Sequence, residues 1–174
     1  MSLIGKRVAI LVEAEYQDLE VHYPRLRLKE EGAEVIVVGT GSARRYVGKY
    51  GYPVDVNRDA KDVDPTTLDG LIIPGGWAPD RMRQSLDMLE LVMAMARSGK
   101  VIGCICHGGW VLSSANVVQG RRLTSYIAIR DDLVHAGADW VDEEVVVDGN
   151  LITSRKPDDL PAFMRAIIKA LGGK

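Results

Sequence analysis

The residues best suited to chemistry stand together at Cys104-Ile105-Cys106-His107-Gly108. A thiol followed directly by an imidazole sets a nucleophile beside a base. A small residue two positions before Cys106 and a glycine two after it permit a nucleophile elbow, the sharp strand-to-helix turn that holds one side chain out at the end of a parallel strand. The helix after such a turn brings free amides and the positive end of its dipole towards the sulfur, which favours a thiolate. Cys104, inside the strand, reads as an inert core thiol. Alternation along a strand turns the two sulfurs to opposite faces, so they cannot gather with His107 around one metal ion, and His22 and His135 show no ligand spacing. Neither metal nor cofactor is expected, and two cysteines make no disulfide framework.

Two further stretches carry chemistry at expected strand ends: Glu13 to Glu20, and Pro74-Gly75-Gly76 running on to Asp80. The elements that must position them can be read from the apolar pattern. Arg7 to Val12 is a continuous apolar run, as in a strand covered on both faces. Asp18 to Glu31 shows helical spacing with Gly32 as its stop, and Pro24 inside it predicts a kink or a short first segment. Ala33 to Val38, Leu68 to Pro74 and Val101 to Cys104 read as further buried strands. Met82 to Ser98, His107 to Asn116, a stretch near Ile129 to Ala136, and Asp158 to Leu171 read as helices. Short Tyr/Val stretches between Gly39 and Val56 suggest small antiparallel strands. A hairpin from Val145 to Ile152 is expected to turn on Asp148-Gly149. This order predicts one domain over residues 1–174, an α/β three-layer doubly wound sandwich. Its central sheet would be mostly parallel and flavodoxin-like, with a small antiparallel hairpin region. In such a sheet ligands bind at the carboxyl ends of the strands, where all three stretches converge.

Composition excludes several classes. The 174 residues hold 22 Lys+Arg against 24 Asp+Glu, so no basic footprint invites nucleic acid. At 47% hydrophobic the chain can bury a core without staples. Its longest apolar runs, Val8 to Val12 and Leu71 to Pro74, fall far short of the ~20 residues a membrane span needs. The first residues lack a secretory apolar core, and a cytoplasmic location is expected.

Cys106-His107-Gly108, Pro74-Gly75-Gly76, Glu20 four residues before Pro24, and Thr124-Ser125-Tyr126 together resemble the PfpI intracellular protease family of the ThiJ/PfpI superfamily. The resemblance runs nearly end to end and extends to Gly120-Arg121-Arg122, Asp131-Asp132, Trp140-Val141-Asp142 and the 145–150 stretch. It implies Cys106 as nucleophile, His107 as its base, and Glu20 as a carboxyl approaching the sulfur. It also implies a third, acidic member after the Pro-Gly-Gly turn, supplied by a neighbouring subunit, and Asp80 occupies that position. Asp80 also reads as the N-cap of a helix from Arg81 onward. The amides of Gly76 and His107 then resemble an oxyanion hole, with Gly75 and Gly76 at the substrate. Tyr126 matches a pocket-lining position, although a tyrosine at a strand end also serves simple packing. Gln17, Trp77, Gly109 and Trp110 depart from the family pattern, and they bear on the pocket wall rather than the elbow.

The function implied is a cysteine hydrolase acting on peptides or on small aldehyde or glycated groups. The alternative is a stress-response or redox-sensing protein whose Cys106 is oxidised without turnover. A glutamine amidotransferase-like domain would need a His-x-Glu pair near the C-terminus, and none occurs. Sharing of Asp80 predicts a homo-oligomer, a dimer or a hexamer. The tyrosines and glycines between Tyr46 and Pro53 supply an exposed apolar segment for its interface. An elbow also predicts a sparsely populated, positive φ at Cys106.

Overall fold

The computed structural model describes residues 2–173. Strands β1 (Arg7–Val12), β2 (Glu34–Gly39), β5 (Arg58–Asp59), β6 (Gly70–Ile73), β7 (Val101–Ile105), β10 (Val145–Asp148) and β11 (Leu151–Ser154) form a seven-stranded sheet. β3 (Arg45–Val47) pairs with β4 (Pro53–Asp55), and β8 (Arg122–Leu123) with β9 (Asp139–Trp140), as two small ladders. The large sheet runs β10-β11-β7-β6-β1-β2-β5, parallel throughout except for the antiparallel edge pair of β10 and β11. Val8 through Val12 are all fully buried, as expected of a strand packed on both faces.

Helices α1 (Asp18–Glu30), α2 (Ala78–Met82), α3 (Leu86–Arg97), α4 (Gly109–Ser114), α5 (Arg130–His135) and α6 (Leu160–Ala170) cover the sheet. α1 and α6 pack together against β1, β2, β7 and β11, and α3 lies on β6 and β7 beside α4. The result is the three-layer α/β sandwich with a mostly parallel sheet and a small antiparallel hairpin region that the element order predicts. α6 contributes Phe163, Met164, Ile167 and Ile168 to the core. No described helix is long and apolar enough to cross a membrane.

Several local expectations are corrected. α1 runs through Pro24 without ending, and Gln17 opens it by accepting the Glu20 amide at 3.0 Å. The helix expected from Met82 to Ser98 starts only at Leu86. α2 ends at Met82, and Ser85 caps a new start by accepting the Met88 amide. After Cys106 the chain makes one 3₁₀ turn before α4 begins at Gly109. The hairpin turns on Gly149-Asn150, not Asp148-Gly149, because Asp148 still pairs with Leu151 and Gly149 supplies the positive φ. Of the tyrosines expected on an exposed segment, Tyr46 is buried, while Tyr50 and Tyr52 are exposed.

Candidate active site

β7 delivers Cys106 at φ 60, one of three non-glycine residues with positive φ among those described. This is the strained backbone an elbow requires, since L residues pay sterically for the left-handed region. The side chain is 7% exposed, and Sγ lies 3.2 Å from His107 Nδ1. The amides of Gly76 and His107 donate towards the sulfur. Burial nevertheless dominates: it pushes the Cys106 thiol up to about 12, and the Glu20 charge pushes it further in the same direction. Helix-end stabilisation of the thiolate is thus outweighed in the resting site, and α4, only six residues long and starting three residues on, has little dipole to offer. Cys104 is fully enclosed behind it, and burial raises its thiol well above the ordinary value.

The Pro-Gly-Gly turn after β6 is sewn to the loop after β1. The Gln17 amide donates to the Gly75 carbonyl at 3.1 Å, and the Trp77 amide to the Glu15 carbonyl at 2.9 Å. At Gly76, φ is 80, and a Cβ there would stand 2.4 Å from the Gln17 nitrogen. At Gly75 a Cβ would stand 2.7 Å from Cys106 Cβ, 2.8 Å from Glu20 Oε2 and 2.9 Å from Cys106 Sγ. Carboxyl and sulfur therefore flank one point that only glycine leaves open.

Glu20, in the first turn of α1, is fully buried. Its Oε2 accepts the Gly75 amide at 2.7 Å, and its Oε1 has no nitrogen or oxygen partner. The carboxyl faces the Cys106 thiol within hydrogen-bonding reach. Burial raises Glu20 to about 7, opposed in part by the Gly75 amide. A carboxyl so placed holds a proton near neutrality and can donate it.

His107 lies on Tyr126, ring centroids 5.0 Å apart and nearly parallel, and meets Trp110 edge-on at 5.3 Å. Burial and the nearby Lys49 charge lower its pKa, which leaves a neutral imidazole able to accept a proton. These groups open into a cleft of about 590 Å³ whose wall includes Gln17, Trp77, Trp110, Tyr126 and Pro157.

Of the residues predicted from sequence, Cys106, His107, Glu20, Gly75, Gly76 and Tyr126 come together at this point. Asp80 does not. It is an exposed residue in the first turn of α2, whose N-cap is Trp77, so the expected capping of Arg81 by Asp80 is corrected. Asp80 lines a neighbouring groove that shares Trp77 and Trp110 with the cleft. Within the chain no hydrogen bond joins it to His107, whose Nε2 has no protein partner among the described residues. Sequence reasoning missed Lys49 and Tyr50, which also line the cleft. The available signal was a lysine set among glycines and tyrosines in a turn, read above only as an apolar segment.

The profile of the DJ-1/PfpI family matches residues 6–170. A Pyrococcus abyssi protein named a deglycase is 48% identical over 167 residues, covering 95% of this chain and 99% of its own. A Bacillus subtilis protein named as a candidate cysteine protease is 37% identical over 168 residues, covering 97% and 99%. Among solved structures, the chain is similar to an Anabaena variabilis protein with DJ-1/ThiJ/PfpI-like and ferritin-like domains, with TM-score 0.95 and 40% identity. The match covers 97% of this chain and 48% of that one, so this chain spans about half of the two-domain protein. Drosophila melanogaster DJ-1beta superposes with TM-score 0.91 at 28% identity, covering 100% of this chain and 92% of that one.

Proposed function

This chain belongs to the DJ-1/PfpI family, and from that premise we propose that it is a cysteine-dependent hydrolase of peptides or of small aldehyde or glycated groups. The observation that carries the reading is Cys106 at φ 60 on the cleft floor, with His107 Nδ1 3.2 Å from its sulfur. Neutral His107 takes the thiol proton as Sγ attacks the substrate carbonyl carbon, and the carbonyl π pair moves to oxygen. The amides of Gly76 and His107 offer hydrogen bonds to that developing charge. Glu20, protonated, removes a negative charge that would otherwise oppose the thiolate. With a 1,2-dicarbonyl aldehyde the adduct is a hemithioacetal, whose hydride passes to the neighbouring carbonyl carbon and leaves a thioester that water cleaves to a hydroxy acid. With an amide, the amine leaves with a proton and water cleaves the thioester. Peptide hydrolysis and aldehyde consumption measured side by side should both depend on Cys106, with Cys106→Ala lowering whichever activity is present at least about a thousandfold. A stable Cys106 sulfinate formed by peroxide, with neither substrate consumed, would replace the hydrolase by the redox-sensing reading.

The same proposal includes a homo-oligomer in which Asp80 of one protomer orients His107 of its partner. Its support is the unpartnered Nε2 of His107 and the exposed aromatic surface of Tyr50, Tyr52 and Trp77 beside the cleft. Asp80→Ala is expected to lower the rate about a hundredfold while leaving thermal stability intact. A fully active monomer in sedimentation at assay concentration would rule out the shared site.

A further inference from the structure

Gln17, which opens α1, is 8% exposed and lines the cleft together with Glu20, Gly76 and Cys106. Three contacts hold it in place. Its backbone amide donates to the Gly75 carbonyl at 3.1 Å, its backbone carbonyl accepts the Glu20 amide at 3.1 Å, and its side-chain Oε1 accepts the same amide at 3.0 Å. The last contact fixes which way the side-chain amide faces, because the reversed amide would set two donors against each other. Nε2 is thereby turned away from the end of the helix, and it donates to no described residue. The sealed polar side-chain atoms that lack a partner are Arg7 Nε, Glu20 Oε1 and Thr124 Oγ1. Nε2 also lacks one but stays open to the space that Gln17 lines, which is the cleft.

The chemistry proposed above charges two oxygens of a 1,2-dicarbonyl in turn, and the amides of Gly76 and His107 are placed for the first. When the hydride leaves the hemithioacetal carbon, a carbonyl re-forms there and the neighbouring oxygen takes up the negative charge. That second oxygen calls for a donor of its own, held still before the step begins. We infer that Gln17 is a catalytic residue for 1,2-dicarbonyl substrates, Nε2 donating to the second carbonyl oxygen and stabilising the alkoxide that forms there. The substrate class is a neutral aldehyde with a ketone beside it. The step balances within that molecule: the aldehyde carbon is oxidised to a thioester, its neighbour is reduced to an alcohol, and the alkoxide takes the proton that His107 received from the thiol. Water then cleaves the thioester to a 2-hydroxy acid and restores the thiol. This role rests on the cysteine chemistry proposed above and gives it a substrate class and a further residue.

Conversion of methylglyoxal to lactate, compared with cleavage of p-nitrophenyl acetate, isolates the effect. The ester shares the attack by Cys106 and the cleavage of a thioester, but it has no second carbonyl and moves no hydride. Its rate is taken as the part that Cys106→Ala abolishes, and the ratio of the two rates cancels any change in the thiol itself. Gln17→Ser keeps a capping oxygen for the Glu20 amide and removes the donor from the cleft. It should lower kcat for methylglyoxal about a hundredfold with KM little changed, because the charge it meets arises only after binding, and leave ester cleavage within about twofold. Gln17→Glu has the same size and a capping oxygen but puts an acceptor where the donor stood, so the methylglyoxal-to-ester ratio should fall at least as far. Equal losses on both substrates, or a ratio unmoved in both variants, would make Gln17 a helix cap alone and overturn the inference while sparing the hydrolase. Acyl cleavage of ester or peptide by a native protein that consumes no methylglyoxal does the same. A native protein inert towards methylglyoxal, ester and peptides defeats the hydrolase reading and this inference with it.

Discussion

Glu20 and Asp159 are both buried carboxyls, 0% and 3% exposed, yet they are treated oppositely. Asp159 receives the Arg155 amide at 3.2 Å and its guanidinium at 2.9 and 3.1 Å, and Arg155 also reaches Asp142 at 2.8 Å. These carboxylates hold the Arg155 guanidinium even more firmly charged than usual. Glu20 has one amide, a thiol and no cation in contact. A buried charge with a matched partner fastens the chain between β11 and α6. A buried carboxyl without one avoids its charge by keeping a proton. The contrast separates an acid paired to a cation from one that keeps its proton, without reference to sequence motifs.

Stability against pH tests this contrast most strongly. The folded pKa of Glu20, about 7, stands above its unfolded value of 4.5, so the folded state holds the proton more tightly. Stability from this group is complete below the unfolded value and is lost as pH rises through the folded one, on the order of 3 kcal/mol in all. Urea midpoints should therefore fall between about pH 4 and about pH 8 in the native protein and fall much less in Glu20→Gln. Parallel curves for the two proteins would erase the distinction from Asp159. A smaller effect is expected from Gly75→Ala, whose methyl enters the point shared by Glu20 and Cys106. It should cost about 2 kcal/mol in thermal or urea unfolding and disturb the titration of Glu20. Smallest is Asp159→Asn. Arg155 remains partly exposed and can recover water, so about 1 kcal/mol should be lost. A gain in stability instead would mean that the pair is not a fastening.

The buried parallel strands and the elbow were legible because both are local: continuous apolar runs, and small residues at fixed offsets from Cys106. The break between α2 and α3 was not, since Ser85 ends an apolar pattern that continues on either side and only the cap shows it. The resting state of Cys106 escaped for a different reason. The helix end can be read from neighbours in sequence, but desolvation comes from Glu20, Gly75 and the aromatic wall, brought in from distant segments. Lys49 was hidden likewise, because its place on the cleft depends on Asp18 gripping a loop 32 to 34 residues away. Asp80 was placed by resemblance alone, and among the described residues its side chain makes no hydrogen bond or ion pair that would reveal a role.

The large sheet ends in two short edges. β5 is two residues long, and on β10 the Arg121 guanidinium already takes the Asp148 carbonyl. Little open ladder remains on which another chain's strand could pair. Crowded solutions of the folded protein should accordingly stay clear on storage, and any fibrillar deposit must begin from molecules that have first come apart.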